Sequence, residues 1–159
     1  MIYNIVSVSG GKDSTATLLL AMAWGVENLQ AVFADTGHEH PATYEYVDYL
    51  ERILEIQIQR VKADFSFEIA RKREYVSTVW REEGVSESVI ENALAVLKPT
   101  GNPFLDLCLW KGRFPSTRRR FCTSELKVKP IQQMFYPILD DGNMILSWQG
   151  VRADESLDR

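Results

Sequence analysis

Val6-Ser7-Val8-Ser9-Gly10-Gly11-Lys12-Asp13-Ser14 decides how the rest of the chain reads. Upstream, Ile2 to Val8 is a short β-branched run ending in small residues, the pattern of a strand. Downstream, Ser14 to Ala23 carries apolar residues at helical spacing. Two glycines between a strand and a helix allow a tight turn and a close backbone approach to a ligand. The amides at the helix start then face an anion that the helix dipole also favours. Lys12 adds a cation and Ser14 a hydroxyl at the same place. The stretch reads as a phosphate-binding turn. It has neither the Walker spacing nor the G-x-G-x-x-G dinucleotide spacing.

Working outward, Leu29 to Ala34 reads as a second buried strand, ending in Asp35-Thr36-Gly37-His38-Glu39-His40-Pro41. Pro41 suits the first turn of a helix, and Tyr46, Val47, Leu50, Ile53 and Leu54 recur at helical spacing behind it. Ile56, Ile58 and Val61 mark a third strand whose alternation with polar residues places it near an edge of the sheet. Strand, helix, strand, helix, strand predicts right-handed crossovers and a parallel sheet. Ligands then lie outside the carboxyl ends of the strands. Phe65 to Leu97 reads as helical pieces broken near Gly84 and Ser86. Residues 98–103 form a loop, and Phe104 to Trp110 is a short apolar segment. Ile131 to Leu139 reads as a helix cut short by Pro137, and Met144 to Trp148 as the last strand.

The chain has 159 residues, 45% hydrophobic and 25% charged, with a net charge of −4. That is ordinary globular composition with room for one domain and its core. Such a charge excludes indiscriminate nucleic-acid binding by the whole surface but allows a local basic patch. No apolar run approaches the roughly 20 residues that span a bilayer, and the first strand begins at once, leaving no room for a signal peptide. Cys108 and Cys122 are too few for a disulfide framework. Both are expected to be reduced thiols in a cytoplasmic protein.

Seven cations between Lys111 and Lys129, including Arg118, Arg119, Arg120 and Lys127, face Glu125 alone. Arginine forks suit phosphate or sulfate, so the stretch reads as a second anion site, with a nucleic-acid backbone as the alternative. Cys122 would be activated if these cations converge on it; otherwise it is a small buried hydrophobe. Gly150 before Arg152 fits a backbone approach plus anion pairing at a strand end, or else a surface salt-bridge cluster. His38 is read as a polar lining residue. His38 and His40 lack a third ligand, so no metal ligands are assigned.

Taken together, these blocks resemble the phosphoadenosine phosphosulfate (PAPS) reductase family of the PP-loop, or adenine nucleotide α-hydrolase, superfamily. The resemblance rests on Ser9-Gly-Gly-Lys-Asp-Ser14, on Asp35-Thr-Gly-His38 leading into Pro41-x-Thr43-Tyr44-x-Tyr46-Val47, on Arg120-Phe-Cys-Thr-x-x-Leu-Lys127 leading to Pro130, and on Gly150-Val-Arg-x-x-Glu-Ser156. Phe104 to Ser116 is similar to the phage- and prophage-borne subgroup. The resemblance implies an α/β fold, Rossmann-like (HUP-type), with an open, mainly parallel sheet and helices on both faces. It implies one such domain over residues 1–159. An adenine nucleotide, PAPS or ATP, would be held by Ser9, Gly10, Gly11, Lys12, Asp13, Ser14, Asp35, Thr36, Gly37 and His38. Sulfate or a distal phosphate would lie at Arg118, Arg119, Arg120, Lys127, Gly150 and Arg152.

In the family's reductases a cysteine in a C-terminal tail attacks the nucleotide's sulfur, and thioredoxin or glutaredoxin resolves the adduct. This chain has no Glu-Cys-Gly sequence, so the tail is expected to be missing from it, and Lys12 and Cys122 are its candidate catalytic residues. Paired cysteines, which iron–sulfur members carry, are replaced by Phe121-Cys122, so no iron–sulfur cluster is expected. The expected activity is reduction of an adenylyl sulfate to sulfite. The alternatives are an ATP pyrophosphatase, using Mg²⁺, that adenylates a substrate for thiolation or nucleic-acid sulfur modification, and a nucleotide-binding module without catalysis. No membrane partner is expected, and the oligomeric state is left open.

Overall fold

Consecutive rather than alternate apolar residues make β1 (Ile2–Val8) a strand covered on both faces. Ile5 and Val6 are fully buried and Val8 nearly so. The computed structural model describes residues 1–151; Arg152 and the acidic residues Asp154 and Glu155 lie outside the described residues. β1 pairs in parallel with β2 (Leu29–Ala34) on one side and with β4 (Met144–Trp148) on the other. β3 (Ile58–Val61) pairs in parallel with β2, giving an open, all-parallel sheet of order β3-β2-β1-β4. The expected edge position of β3 is observed. The fold is Rossmann-like α/β, with helices around the sheet.

The chain divides into two compact units. The first contains Met1–Asp35, Glu39–Val61 and the chain from Val128 onward; the second contains Thr36–His38 and Lys62–Lys127. In the first unit, α1 (Lys12–Ala23) buries Ser14, Thr15, Leu18 and Ala21 along one stripe, and α2 (Pro41–Leu54) buries Val47 and Leu50. Leu18, Ala21, Val47 and Leu50 form one apolar core with Val6, Phe33 and Ile58. Asn4, buried beside it, donates to the Glu27 carbonyl at 2.8 Å and accepts from the Trp148 indole at 2.9 Å. Both polar ends of its amide are thereby satisfied.

In the second unit, α3 (Ser66–Glu82), α4 (Glu87–Val96) and α5 (Pro103–Lys111) pack around Val76, Ile90 and Leu97, and around Phe65, Ile69, Leu107 and Leu126. The apolar Phe104–Trp110 segment is thus helical. Asn102 caps α5, its Oδ1 accepting from the amides of Phe104 and Leu105, and Gly112 ends it at a φ of 68°. Two neighbouring cations of α3 cap two other helices. Lys72 Nζ donates to the carbonyls of Leu109 and Trp110 at 3.2 and 2.8 Å, and Arg73 donates to those of Leu94 and Leu97 at 2.5 and 2.7 Å. Burial holds the Lys72 ammonium below the usual lysine range. A three-residue turn, α6 (Phe121–Thr123), leads into a π-helical turn at Ser124–Val128.

Back in the first unit, α7 (Lys129–Asp140) is longer than the sequence suggests. It runs through Pro137, because one missing backbone donor near the end of a helix forfeits one bond while its strongly amphipathic face still packs.

Asp106 is the buried anion of the helical unit. Its carboxylate accepts from the Thr100 amide and hydroxyl, both at 2.7 Å, and from the Gly101 amide at 3.2 Å. Asp106→Ala strands two backbone donors and is expected to cost about 2–3 kcal/mol. Urea unfolding should show a lower midpoint at unchanged slope; an unmoved midpoint would show that those donors find other acceptors.

Candidate functional site

The order of strands reverses at β1: the chain passes from β1 to β2 and β3 on one side and returns as β4 on the other. Such a reversal opens a crevice at the carboxyl ends of the two central strands, where ligands of open α/β sheets bind. The register pairs Val6 with Trp148, so residues 9–14 and the residues after β4 leave the sheet side by side.

Local chemistry shapes the turn. Gly10 has a φ of 75°, and a Cβ there would lie 2.8 Å from the Thr43 methyl of α2. Gly11 is the N-cap of α1, with extended backbone and no side-chain oxygen to satisfy the amides ahead of it. First-turn amides have no acceptor within their own helix. Gly11 and Lys12 are exposed, so this end of α1 is open to an anion. Ser14 has a structural part in the turn itself. It is buried, its Oγ accepts from the Ser9 amide and hydroxyl at 3.1 Å each, and it donates to the Gly11 carbonyl at 2.9 Å. One donation and two acceptances use the full capacity of a hydroxyl. Ser14 therefore ties the two ends of the turn together. Thr15 donates to the same Gly11 carbonyl at 3.0 Å and accepts from Tyr46 at 3.3 Å. The Asp13 carbonyl accepts from Thr17 at 2.9 Å.

Gly150 presses on this turn from β4. A Cβ there would lie 2.5 Å from the carbonyl carbon and oxygen of Asp13 and 2.7 Å from the Ser14 nitrogen. Its backbone approach is thus to the turn itself. On the other flank Asp35 continues β2, its amide donating to the Val61 carbonyl at 2.8 Å and its carboxylate accepting from Tyr44 Oη at 2.7 Å. Burial, reinforced by the Asp35 carboxylate, pushes the Tyr44 phenol above its usual range. The first unit therefore gathers Ser9–Ser14, Asp35 and Gly150 at one edge of the sheet.

The second unit holds the other sequence candidates. Buried Thr36 accepts from the His38 amide through Oγ1 at 3.3 Å, and its carbonyl accepts from Phe104 N at 3.0 Å. Asn102 donates to the Gly37 carbonyl at 2.6 Å, and a Cβ on Gly37 would lie 2.6 Å from Pro103 Cδ. Asn102, which the sequence reading leaves inside a loop, thus fixes Gly37 as well as α5; the Asn-Pro pair was the signal for it. His38 stacks on Phe104 with centroids 4.6 Å apart. His40, in the first unit, caps α2 by accepting from the Ala42 amide at 3.1 Å. No cluster of three metal-binding side chains occurs among the described residues.

Arg118, Arg119 and Arg120 are exposed, and Lys127 is exposed in the π-helical turn. Cys122 is half-buried against the Phe65–Leu107–Leu126 cluster. Burial, with Cys122 nearby, pushes the Cys108 thiol up, which makes it a poor nucleophile at neutral pH.

These contacts make Gly10→Ala a sharp probe of the turn. The substitution forces an L-residue to positive φ and its methyl onto Thr43, and should cost about 1–3 kcal/mol. Thr43→Ser removes the opposing methyl, so the double variant should regain part of that loss in thermal unfolding; no recovery would mean that the backbone alone sets the cost.

Residues 3–159 match the family described as the phosphoadenosine phosphosulfate reductase domain. An uncharacterized 37.8 kDa protein of Escherichia phage 186 is 52% identical over 163 residues, covering 96% of this chain and 48% of the relative. An uncharacterized nin-region protein of Escherichia phage lambda is 32% identical, covering 96% and 49% respectively. A more distant relative, an uncharacterized protein of Methanocaldococcus jannaschii, is 26% identical. The chain spans about half the length of the phage relatives it matches. With its glycine turn at the point where strand order reverses, and with this match over nearly its whole length, the chain belongs to the phosphoadenosine phosphosulfate reductase family, in a phage-like subgroup.

Proposed function

We propose that the chain binds an adenylyl sulfate nucleotide, with phosphate on the Ser9–Ser14 turn, and serves a reductase that converts the sulfonyl group to sulfite. The observation that carries this reading is the turn itself. A glycine N-cap opens the first amides of α1 to an anion, Lys12 stands exposed beside them, and Ser14 is spent on holding the turn closed. Ser9, Gly10, Gly11, Lys12 and Asp13 contact phosphate in this reading, and Ser14 positions them. The distal anion falls to Arg120, Lys127 and Arg152, an assignment that rests on the order of the family's motifs.

The chemistry needs a thiolate. It attacks the sulfur, the bond from sulfur to the 5′-phosphate oxygen breaks, and adenosine 3′,5′-bisphosphate leaves. A second thiol, from thioredoxin or glutaredoxin, then attacks the protein sulfur of the resulting thiosulfonate, releasing sulfite and leaving a disulfide. Anion-pairing groups near the leaving phosphate favour the first step by stabilising its developing charge. Cys122 is this chain's own candidate for the attacking thiol; a cysteine in the additional length of the phage relatives is the other source.

Calorimetry with adenosine 3′,5′-bisphosphate tests the binding claim. Lys12→Ala should weaken binding about tenfold to a hundredfold, the loss of one charge-assisted contact. Equal affinity in the variant would remove Lys12 from the site, and no binding by the parent chain would sink the reading. For the reaction, a protein carrying the full length of the phage relatives should release sulfite from PAPS when reduced thioredoxin is supplied. Cys122→Ser should abolish that release if Cys122 attacks, and leave it intact if the thiol lies elsewhere.

A further inference from the structure

The segment after α5 carries a charge pattern unlike the rest of the chain. No Asp or Glu occurs between Asp106 and Glu125, although the whole chain has a net charge of −4. Lys111 is occupied: it pairs with Glu125 at 3.3 Å, and its ammonium lies 3.6 Å from the centre of the Trp110 ring. Arg113, Arg118, Arg119 and Arg120 are exposed. Ser116 and Arg119 exchange backbone hydrogen bonds of 3.3 and 3.0 Å, which folds residues 116–119 into a tight turn with Arg118 near its tip. Arg120 is drawn back, its Nε donating to the Thr117 carbonyl at 3.2 Å.

Between α5 and that turn stands Phe114, 70% exposed. It is anchored from behind, because the amides of Gly112 and Arg113 both donate to the Cys108 carbonyl, at 2.8 and 3.2 Å. Its inner neighbour is Phe104, 6.4 Å away between centroids and tilted by 33°. Phe104 in turn stacks on His38 at 4.6 Å and 11°. Three rings thus form a ladder whose outermost member offers its surface to solvent, with exposed guanidinium groups before and after it in the chain.

We propose that Phe114 and the surrounding arginines form a docking platform for single-stranded nucleic acid. A base stacks on Phe114, and neighbouring phosphates pair with Arg113, Arg118 and Arg119. Aromatic faces take any unpaired base, and arginine forks suit phosphate oxygens. A duplex keeps its bases stacked on one another and withholds the face that Phe114 needs. A bilayer surface would attract the same cations, but insertion draws on several large apolar side chains, and between Lys111 and Arg120 only Phe114 is of that kind. With a net charge of −4 over the whole chain, this stretch without Asp or Glu is a place where a polyanion meets attraction. All of these residues belong to the helical unit, and the inference does not depend on which nucleotide the glycine turn holds.

Fluorescence anisotropy with labelled RNA and DNA single strands of about 20 nucleotides, at about 50 mM salt, tests it. The parent chain should bind single strands more tightly than a duplex of the same length. Phe114→Leu keeps an apolar side chain but no ring and should weaken binding about tenfold, whereas Phe114→Trp should preserve it. Arg118→Ser and Arg119→Ser should each lower the slope of log affinity against log salt by about 0.7. Phe114 and the two arginines are exposed, so all four variants should melt with the parent chain, which separates lost binding from lost folding. Lys12→Ala should leave this binding unchanged, so failure here and failure of the adenylyl sulfate reading are told apart. Absence of single-strand binding, equal binding by Phe114→Leu, a preference for duplex, or a preference for phosphatidylserine-containing vesicles would each overturn the proposal.

Discussion

The backbone of Gly150 sits so close to the first turn of α1 that a single methyl there would lie 2.5 Å from the Asp13 carbonyl. Much of the first unit depends on that approach. β4 lies beside β1, with Val6 opposite Trp148, and the strand can deliver its end to the glycine turn only if nothing projects from position 150. The turn is held from three directions: by Gly150, by the Thr43 methyl under Gly10, and by the Ser14 hydroxyl across its mouth. Such a loop is pre-organised, so an anion held there, as proposed, would meet amides already aligned and pay less ordering entropy on binding.

Most of the fold was legible in the sequence because the signals were strong and local. Four strands showed as short apolar or alternating runs, the first of them β-branched, the helices of the first unit as apolar periodicity, and the break between α3 and α4 as Gly84 and Ser86. Pro137 misled because a proline is usually a stop, whereas near the end of an amphipathic helix the remaining face outweighs one missing bond. The division into two units left no local mark: no linker composition separates Asp35 from Thr36, and a boundary that falls in the middle of a motif can be read only from packing.

For the candidate site, the sequence placed Ser9–Ser14, Asp35 and Gly150 at strand ends, where the structure has them, but not their contacts. Ser14 reads as a ligand from its position in the motif, yet its hydroxyl is saturated within the turn, a fact that depends on the orientation of Ser9. Gly150 reads as a ligand approach and is a contact with backbone. Asn102 and Thr43 position Gly37 and Gly10 from far away in sequence, which no spacing rule reveals. The basic stretch showed as charge with Phe114 interleaved among its arginines, but only the geometry takes Lys111 out of it and stands Phe114 on Phe104.

Lys72 and Arg73 are adjacent in sequence and so point about 100° apart around α3. One closes the end of α5 and the other the end of α4. That angular division ties the phase of α3 to two neighbours at once. A residue gained or lost within the helix ahead of Lys72 would swing both cations away from their carbonyls, and no single compensating change elsewhere could restore both. Variation in length should therefore collect in the connecting loops of this unit, while α3 keeps an invariant count of residues between its start and its paired cations.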